Sequence, residues 1–540
     1  MAVIGGGVAG LSAAHELAER GFRVTVYERT RTTGGKARSI FVPGSGTEGR
    51  RDLPGEHGFR FFPSFYRHLP DTMRRIPFGN NPNGVADNLV ATSRTRLARI
   101  DAPPVDVLTR FPSGLRDLSD LARMVVKSDL DLPREDLLFV GKLFLTLLTT
   151  CHERRFQQYE YAPWWQFVQA EQRSAEFRKY FCDVAVRSLV AMCPRQASTR
   201  TTGGIGMQIW IDHARPGTQV DRLLNGPTHD AWITPWRAYL ETLGVRFVFD
   251  ARATSVNMRD GQVSHVTVTE PDGRTREVRA DHYIMAIPVE RMAALATPEM
   301  KDADPTFAGL EHLHTEWMNG IQFFLDREVR LVNGHLAMVD APWALTAIAQ
   351  KQFWPRTELA GFGDGRTREV LSVIIANWDT PGTFVGKPAR ACSRDEIQAE
   401  VWAQIRAHVT GAIRDEMLVD AYLADSIEHR TDGTLVNHEP LLINTAGSWQ
   451  YRPEAVTRIE NLFLAADYVR TNTDIATMES ANEAARRAVN GILAASGSSS
   501  PRCAVWKLDE PAVFKPLQAL DRLRFQRGEP HILDVSRRAA

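Results

Sequence analysis

The apolar run Ala2-Val3-Ile4 is followed by the glycine-rich stretch Gly5 to Gly10, an apolar stripe at helical spacing over 11–19, and a second apolar run over 23–27. Strand, glycine turn, helix and strand in that order predict one βαβ unit. From about 130 to 193 the apolar period is helical, and it is most apolar over 136–148. Strands are predicted over 245–249, 253–258 and 263–269, with the turn signal Pro271-Asp272-Gly273 before Val278. Residues 284–288 read as a buried strand, and 321–325 and 370–376 as strands of a second sheet. Helical period returns over 395–409, followed by a short strand over 462–465 and a helix over 477–495. The serine- and glycine-rich stretch 496–501 predicts a flexible linker to a short tail, and there is no internal repeat.

With 540 residues the chain exceeds the roughly 250–300 at which one core stops growing, so at least two packed units are expected. Its 65 basic residues cancel 65 acidic ones, which gives no reason to expect a nucleic-acid partner. The five cysteines, Cys151, Cys182, Cys193, Cys392 and Cys503, are widely spaced and include no Cys-x-x-Cys. Neither a disulfide framework nor a metal site is implied, and a reducing, cytoplasmic setting is expected. No signal-peptide pattern precedes Ala2 and no run of about 18 apolar residues occurs, so neither secretion nor a membrane span is expected. The first strand starts so near residue 1 that a few leading residues are expected to be missing. The apolar stretch 136–148, with Lys142 inside it, reads either as a buried helix or as a peripheral contact with the inner face of a membrane.

Gly5, Gly7 and Gly10, with Val8 and Ala9 between them, form Gly-x-Gly-x-x-Gly directly after a strand and at the mouth of a helix. Glycines there let the backbone approach a pyrophosphate held on the helix N-terminus. Glu28 ends the next strand, where its carboxylate can accept both hydroxyls of an adenosine ribose. The loop alone serves NAD and FAD equally.

The residues after Glu28 separate the two. Arg29 and then Gly34-Gly35-Lys36-Ala37-Arg38 resemble the second glycine motif of the flavoprotein superfamily that holds flavin amine oxidases, protoporphyrinogen oxidase and carotenoid desaturases. The resemblance implies FAD, with backbone donors at Gly35 and the cations of Lys36 and Arg38 beside its pyrophosphate. Leu462-Phe463-Leu464-Ala465-Ala466-Asp467, followed by Ala476-Thr477-Met478-Glu479-Ser480-Ala481, resembles the C-terminal flavin motif of the same superfamily, with Ala466 and Ser480 where the family has glycine. It implies that Asp467 holds a ribityl or pyrophosphate oxygen and that the helix from Thr477 and Met478 points its N-terminus at the flavin, where a half-positive helix end stabilises reduced-flavin charge. The strand around Ala253 resembles the one whose backbone pairs with adenine.

Gly58-Phe59-Arg60-Phe61-Phe62 and on to Phe65-Tyr66 resembles the segment that runs along the flavin ring in plant-type phytoene desaturases, with Arg60 where that family has histidine. Flavin amine oxidases carry a lysine at the head of a central substrate-domain strand, and the matching strand here offers Asn319. Hydride removal needs a C–H bond over flavin N5 in a dry pocket, and a base only if a proton leaves too. Candidate walls are Trp343, Trp449 and Tyr451; His57 is the candidate base and Arg60 a second candidate catalytic group.

The expected architecture is α/β: a doubly wound, Rossmann-like FAD-binding domain from 1–70, 200–290 and 440–495, interleaved with an α+β substrate domain. That domain has a helical part over 71–199 and a sheet part over 291–439; 496–540 form linker and tail. The resemblance implies an FAD-dependent dehydrogenase or desaturase of a hydrophobic substrate, reoxidised by quinone or O2. A flavin amine oxidase, and a flavin-dependent isomerase without net redox, remain open.

Overall fold

The computed structural model describes residues 1–58, 61–111, 130–188 and 190–534. Five parallel strands form the nucleotide sheet, in the order Leu462–Leu464, Tyr283–Met285, Ala2–Ile4, Thr25–Tyr27, Arg246–Val248. Val3 stands between Ile284 and Val26 in register, and Ile284 opposite Phe463. Three of the five strands, Leu462–Leu464, Tyr283–Met285 and Ala2–Ile4, are apolar and buried at every residue, as expected for a parallel sheet covered on both faces.

The helix Val8–Ala18 is buried along its whole length. Small residues explain how: Ala9, Ala13 and Ala14 pack near Ala484, Ala485 and Ala488 of the helix Met478–Ala495, which lets the two backbones come close. At their contact Asn482 Nδ2 donates to Ser12 Oγ at 2.8 Å and to Thr72 Oγ1 at 2.9 Å, so the polar atoms buried there are satisfied. The residues that follow Thr269 complete a three-stranded antiparallel sheet of Arg252–Arg259, Gln262–Thr269 and Thr275–Val278.

The second large sheet has seven strands, in the order Leu418–Leu423, Asn319–Leu325, Glu369–Ile375, Thr346–Ala349, Leu336–Met338, Arg94–Ala98, Val105–Leu108. Its two longest strands are buried on both faces. Phe323 meets Trp402 of the helix Arg394–His408 on one face, while Phe324 and Val370 pack with Val42 and Leu53 on the other. The last two strands correct the helical reading of 71–199. Arg96 pairs across them with Asp106 at 2.7 Å, and the alternation of charged and uncharged side chains over 94–97 and 105–107 is a strand period too short to outweigh the helical stretch after it.

The helical region includes Arg134–Thr149, whose Phe139, Leu143 and Leu147 are buried. The helix Thr199–Ala214, read from sequence with the nucleotide segments, sits with it: a Cβ on Gly203 would stand 2.8 Å from Leu147 Cδ2. Among the described residues no helix is long and apolar enough to cross a membrane.

Residues 501–534 pack on the rest of the chain. Cys503 N donates to Asn490 Oδ1 at 2.7 Å, and Trp506 packs on His68 with ring centroids 5.1 Å apart. Asp521, on the helix Lys515–Gln526, is buried and accepts from Arg154 Nε and Cys151 N, both at 2.9 Å. Linker composition ends at Ser500; the apolar and charged residues beyond it find distant counterparts that no local pattern reveals.

Candidate active site

One cavity of about 540 Å³ runs from the first glycine loop to the aromatic residues after Gly58. At its first end Gly34 N donates to Gly6 O at 2.8 Å, and Gly7 forms a bridge with Gly34, so the two glycine motifs lie back to back. A Cβ on Gly10 would sit 1.9 Å from Gly5 O, which is why the helix can close on the loop only with glycine there. Gly35 has φ +53°, a left-handed conformation that suits glycine. Glu28 Oε2 accepts from Gly6 N at 2.7 Å and Oε1 from Thr30 N at 2.9 Å. The carboxylate is thereby fixed at the strand end with lone pairs to spare for ribose hydroxyls. Ala253 lines the same end, beside an irregularity in the ladder between Ala253 and Ser255 that leaves backbone groups there out of the regular pairing.

The cations of the second motif line the cavity, but their head groups are also held by a segment sequence reading passed over. Lys36 Nζ donates to Pro440 O. Arg38 Nη1 donates to Glu439 Oε2 at 2.8 Å and Nη2 to Asp425 Oδ1 at 3.1 Å, and Arg29 Nη2 donates to Glu439 Oε1 at 2.7 Å. His57 Nε2 meets Glu439 Oε2 at 2.9 Å. Burial by itself would raise the pKa of Glu439, but the hydrogen bond from His57 and the charge of Arg38 hold it well below the usual carboxylate range. Burial lowers the pKa of His57, and Arg38 adds to that while Glu439 opposes it. The signal that could have marked Glu439 is an acid followed by proline just before the apolar Leu441-Leu442.

At the other half, Ala466, Asp467, Thr477 and Met478 line the cavity. Thr477 caps its helix by accepting from Ser480 N at 3.2 Å, and the helix N-terminus opens on the cavity. The Ser480 hydroxyl donates to Ile475 O at 2.7 Å, so the departure from glycine ties down the turn ahead of the helix. Tyr66 hydrogen-bonds Thr477, and burial pushes its phenol pKa up. Glu290, also absent from the sequence reading, lines the wall near Lys36 and Asp467, and burial raises its pKa.

Beyond the charged part, Phe61, Phe65, Val190, Ile205, Ile209, Met318 and Leu441 make an apolar end. His57 and Gly58 lie on the same cavity; Phe59 and Arg60 fall outside the described residues. Trp449 and Tyr451 are corrected: they do not line it. The guanidinium carbons of Arg200, Arg470 and Arg452 lie 4.4, 5.4 and 5.7 Å from the Trp449 ring, and Tyr451 pairs with His312 at 4.6 Å. Trp449 is thus a post for cations that hold the loop carrying Asp467, since Arg452 also donates to the carbonyls of Asp467, Tyr468 and Val469. Trp343 is fully buried, with Nε1 donating to Thr380 O at 3.0 Å. Asn319 turns away from the cavity to Ser426 Oγ at 3.1 Å, and Lys36 is the one lysine lining the cavity among the described residues.

A glycine cradle, an acid at the strand end, cations at the second motif and a helix N-terminus facing one continuous cavity fit FAD along its length. The protein is an FAD-dependent oxidoreductase. It belongs to the flavin containing amine oxidoreductase family, whose pattern matches residues 8–493. Zeta-carotene desaturase of Synechocystis sp. is 23% identical over 522 residues, covering 92% of this chain and 97% of that protein. The 15-cis-phytoene desaturase of Synechococcus elongatus is 21% identical over 505 residues, covering 92% and 96%. Cyclohexylamine oxidase from Brevibacterium oxydans shares the fold, with a TM-score of 0.60 at 13% identity over 92% of this chain and 99% of that one.

Proposed function

We propose that the protein dehydrogenates a hydrophobic substrate, a polyene or other isoprenoid, and passes the electrons to a quinone or O2. The observation that carries this reading is the wall at the substrate end: Met318, Leu441, Val190, Ile205 and Ile209 line it, and no lysine stands there among the described residues. FAD supplies a hydride acceptor, N5, when bound. The chain's apolar wall excludes water and holds a C–H bond in place, and the Met478 helix places its positive end where charge collects. The desaturase names of the two full-length relatives support the same substrate class.

Anaerobic bleaching of the flavin band tests it. Zeta-carotene or 15-cis-phytoene, dispersed in detergent, is expected to bleach the holoprotein, and primary and secondary amines are not. Bleaching by amines alone would overturn the reading in favour of amine oxidation, and turnover of a polyene without bleaching would indicate an isomerase.

The same reading includes peripheral contact with the inner face of a membrane, where such a substrate dissolves. Leu138 is 77% exposed and Leu145 48% on one side of the Arg134–Thr149 helix. Trp210, 51% exposed and tilted against Phe144 with ring centroids 4.0 Å apart, is next in sequence to Ile209, which lines the cavity. Exposed apolar side chains on neighbouring helices favour a lipid surface. Co-sedimentation with anionic phospholipid vesicles is expected for the wild type and is expected to fall about tenfold or more in L138D/L145D, given roughly 1.5–3 kcal/mol per buried leucine. Wild-type protein that stays in the supernatant would count against membrane contact.

A further inference from the structure

The turn after the strand Tyr283–Met285 lies against the first glycine loop: a Cβ on Gly5 would stand 3.0 Å from Ala286 C and 3.2 Å from Ile287 Cγ2. The chain then passes Pro288 into the helix Val289–Leu295, and Ala286, Pro288, Glu290 and Arg291 all line the cavity. Gly35, next to Lys36, closes on the same loop, since its Cβ would stand 3.0 Å from Gly7 Cα. Glu290 is therefore on the wall of the part of the cavity that the two glycine motifs build, with Lys36 and Asp467 among its charged neighbours.

Two other acids of this cavity are held as ionised acceptors: Glu28 takes Gly6 N and Thr30 N, and Glu439 takes Arg29, Arg38 and His57. Glu290 has no such donors. Its side chain is 24% exposed, and Oε1 is buried with no hydrogen-bond partner among the described residues. The cation nearest to that oxygen is Nε of the adjacent Arg291 at 4.0 Å, too long for a hydrogen bond. Lys36 Nζ is turned to Pro440 O, and Arg291 Nη2 donates to His438 O at 3.2 Å. Burial pushes the pKa of Glu290 up and Asp467 adds to that, while Lys36, its own main-chain amide and Arg291 oppose. Arg29 and Arg252 face Arg291 from behind, and the Tyr468 phenol, which burial keeps neutral, faces Glu290. A pyrophosphate seated on the glycine loops brings two negative charges to this wall. An ionised Glu290 beside Asp467 repels it, whereas a protonated one has an O–H to donate.

We propose that Glu290 is an FAD-binding residue that works as a neutral acid, donating its carboxyl proton to a pyrophosphate oxygen, so that holding the cofactor is linked to holding one proton. A hydrogen bond onto a charged oxygen is of the strong kind, and it replaces a repulsion. The bound pyrophosphate raises the carboxyl pKa above its value in the FAD-free protein. FAD affinity is then full below the lower of these two pKa values, falls as pH rises between them, and levels off above the higher one.

Glu290→Gln keeps an N–H donor and cannot ionise. Equilibrium dialysis of the full-length protein against FAD, from about pH 5 to about pH 9, is expected to show the wild-type Kd rising about tenfold per pH unit through the window. In Glu290→Gln the Kd should stay level with pH and within about threefold of the wild-type value at the acid end. Calorimetric titration with FAD in two buffers of different ionisation enthalpy counts the protons: uptake should approach about one in the wild type within the window and vanish in Glu290→Gln. Glu290→Ala, which has no donor, should bind FAD about two- to tenfold more weakly than Glu290→Gln at every pH. Far-ultraviolet circular dichroism at each pH separates release of FAD from unfolding. A wild type whose affinity and proton count are flat with pH overturns the assignment, and so does a Glu290→Gln protein that keeps the wild-type pH dependence. A loss of affinity beyond about tenfold in Glu290→Gln at acid pH overturns it too, because the cofactor then needs an ionised acceptor at this position. None of these readouts uses a substrate, so failure of the dehydrogenase reading leaves them standing.

Discussion

Gly10→Val is expected to yield a protein that purifies without flavin colour. The added Cβ would stand 1.9 Å from Gly5 O and 3.0 Å from Gly5 C, both main-chain atoms of the loop that faces the pyrophosphate. Neither can yield unless the loop or the helix Val8–Ala18 moves, and overpacking of this kind costs about 1–3 kcal/mol. Lost cofactor adds to that, because a ligand present at a hundred times its Kd contributes about 2.7 kcal/mol to the folded state. The ratio of flavin to protein absorbance measures the first effect, and thermal unfolding with and without added FAD the second. Gly141→Ala is the control: no atom lies within 4 Å of its Cβ, so colour and melting temperature should hold. A fully loaded Gly10→Val protein would show that the loop does not seat the cofactor.

Glu439→Ala is expected to destabilise the fold by about 3–5 kcal/mol, the usual cost of stranding buried charge by removing one member of a pair. It takes a buried carboxylate from Arg38, whose side chain is only 10% exposed, and leaves the half-exposed Asp425 and the Gly35 carbonyl among its partners. Glu439→Gln, which keeps the shape and one acceptor, should cost less. The sign with pH follows from the depressed pKa of Glu439: its stabilisation is complete above the ordinary carboxylate value of about 4.3 and is lost as pH falls below it. His57, also depressed, works the same way below about 6.5, because the unfolded chain takes up that proton first. Urea denaturation from neutral to acid pH should therefore show falling stability in the wild type and a flatter lower limb in Glu439→Ala. Equal acid slopes would rule out this role for the carboxylate.

The features that sequence made plain are those carried by neighbouring residues. Gly5 to Gly10 between two apolar runs and before an alanine-rich helix fixes its own geometry, and so do Asp467 and the cap at Thr477. Long-range pairings left no such mark. Glu439 looks like an ordinary loop acid until Arg29, Arg38 and His57, about four hundred residues away, close on it. Trp449 beside a flavin motif looks like a pocket wall, but Arg200 and Arg470, with the nearby Arg452, occupy its surroundings. The strands over 94–98 and 105–108 are too short and too rich in charge to stand out, and it is the strand Leu336–Met338 that gives the first of them its place. Asn319 occupies the strand expected to carry a lysine, yet the residue on the cavity is its neighbour Met318.

The order of strands in the nucleotide sheet bears on how the chain is made. The strand Ala2–Ile4 leaves the ribosome first, but its neighbours include Tyr283–Met285, and the edge strand Leu462–Leu464 and the covering helix Met478–Ala495 come far later. At about 5–20 residues per second, on the order of 20–90 s separate the first strand from the last. Through that interval the apolar faces of the helix Val8–Ala18 lack their final cover. The nascent chain must be shielded from aggregation while it waits, and the glycine loop can seal around its cofactor only after the helix Met478–Ala495 has been made.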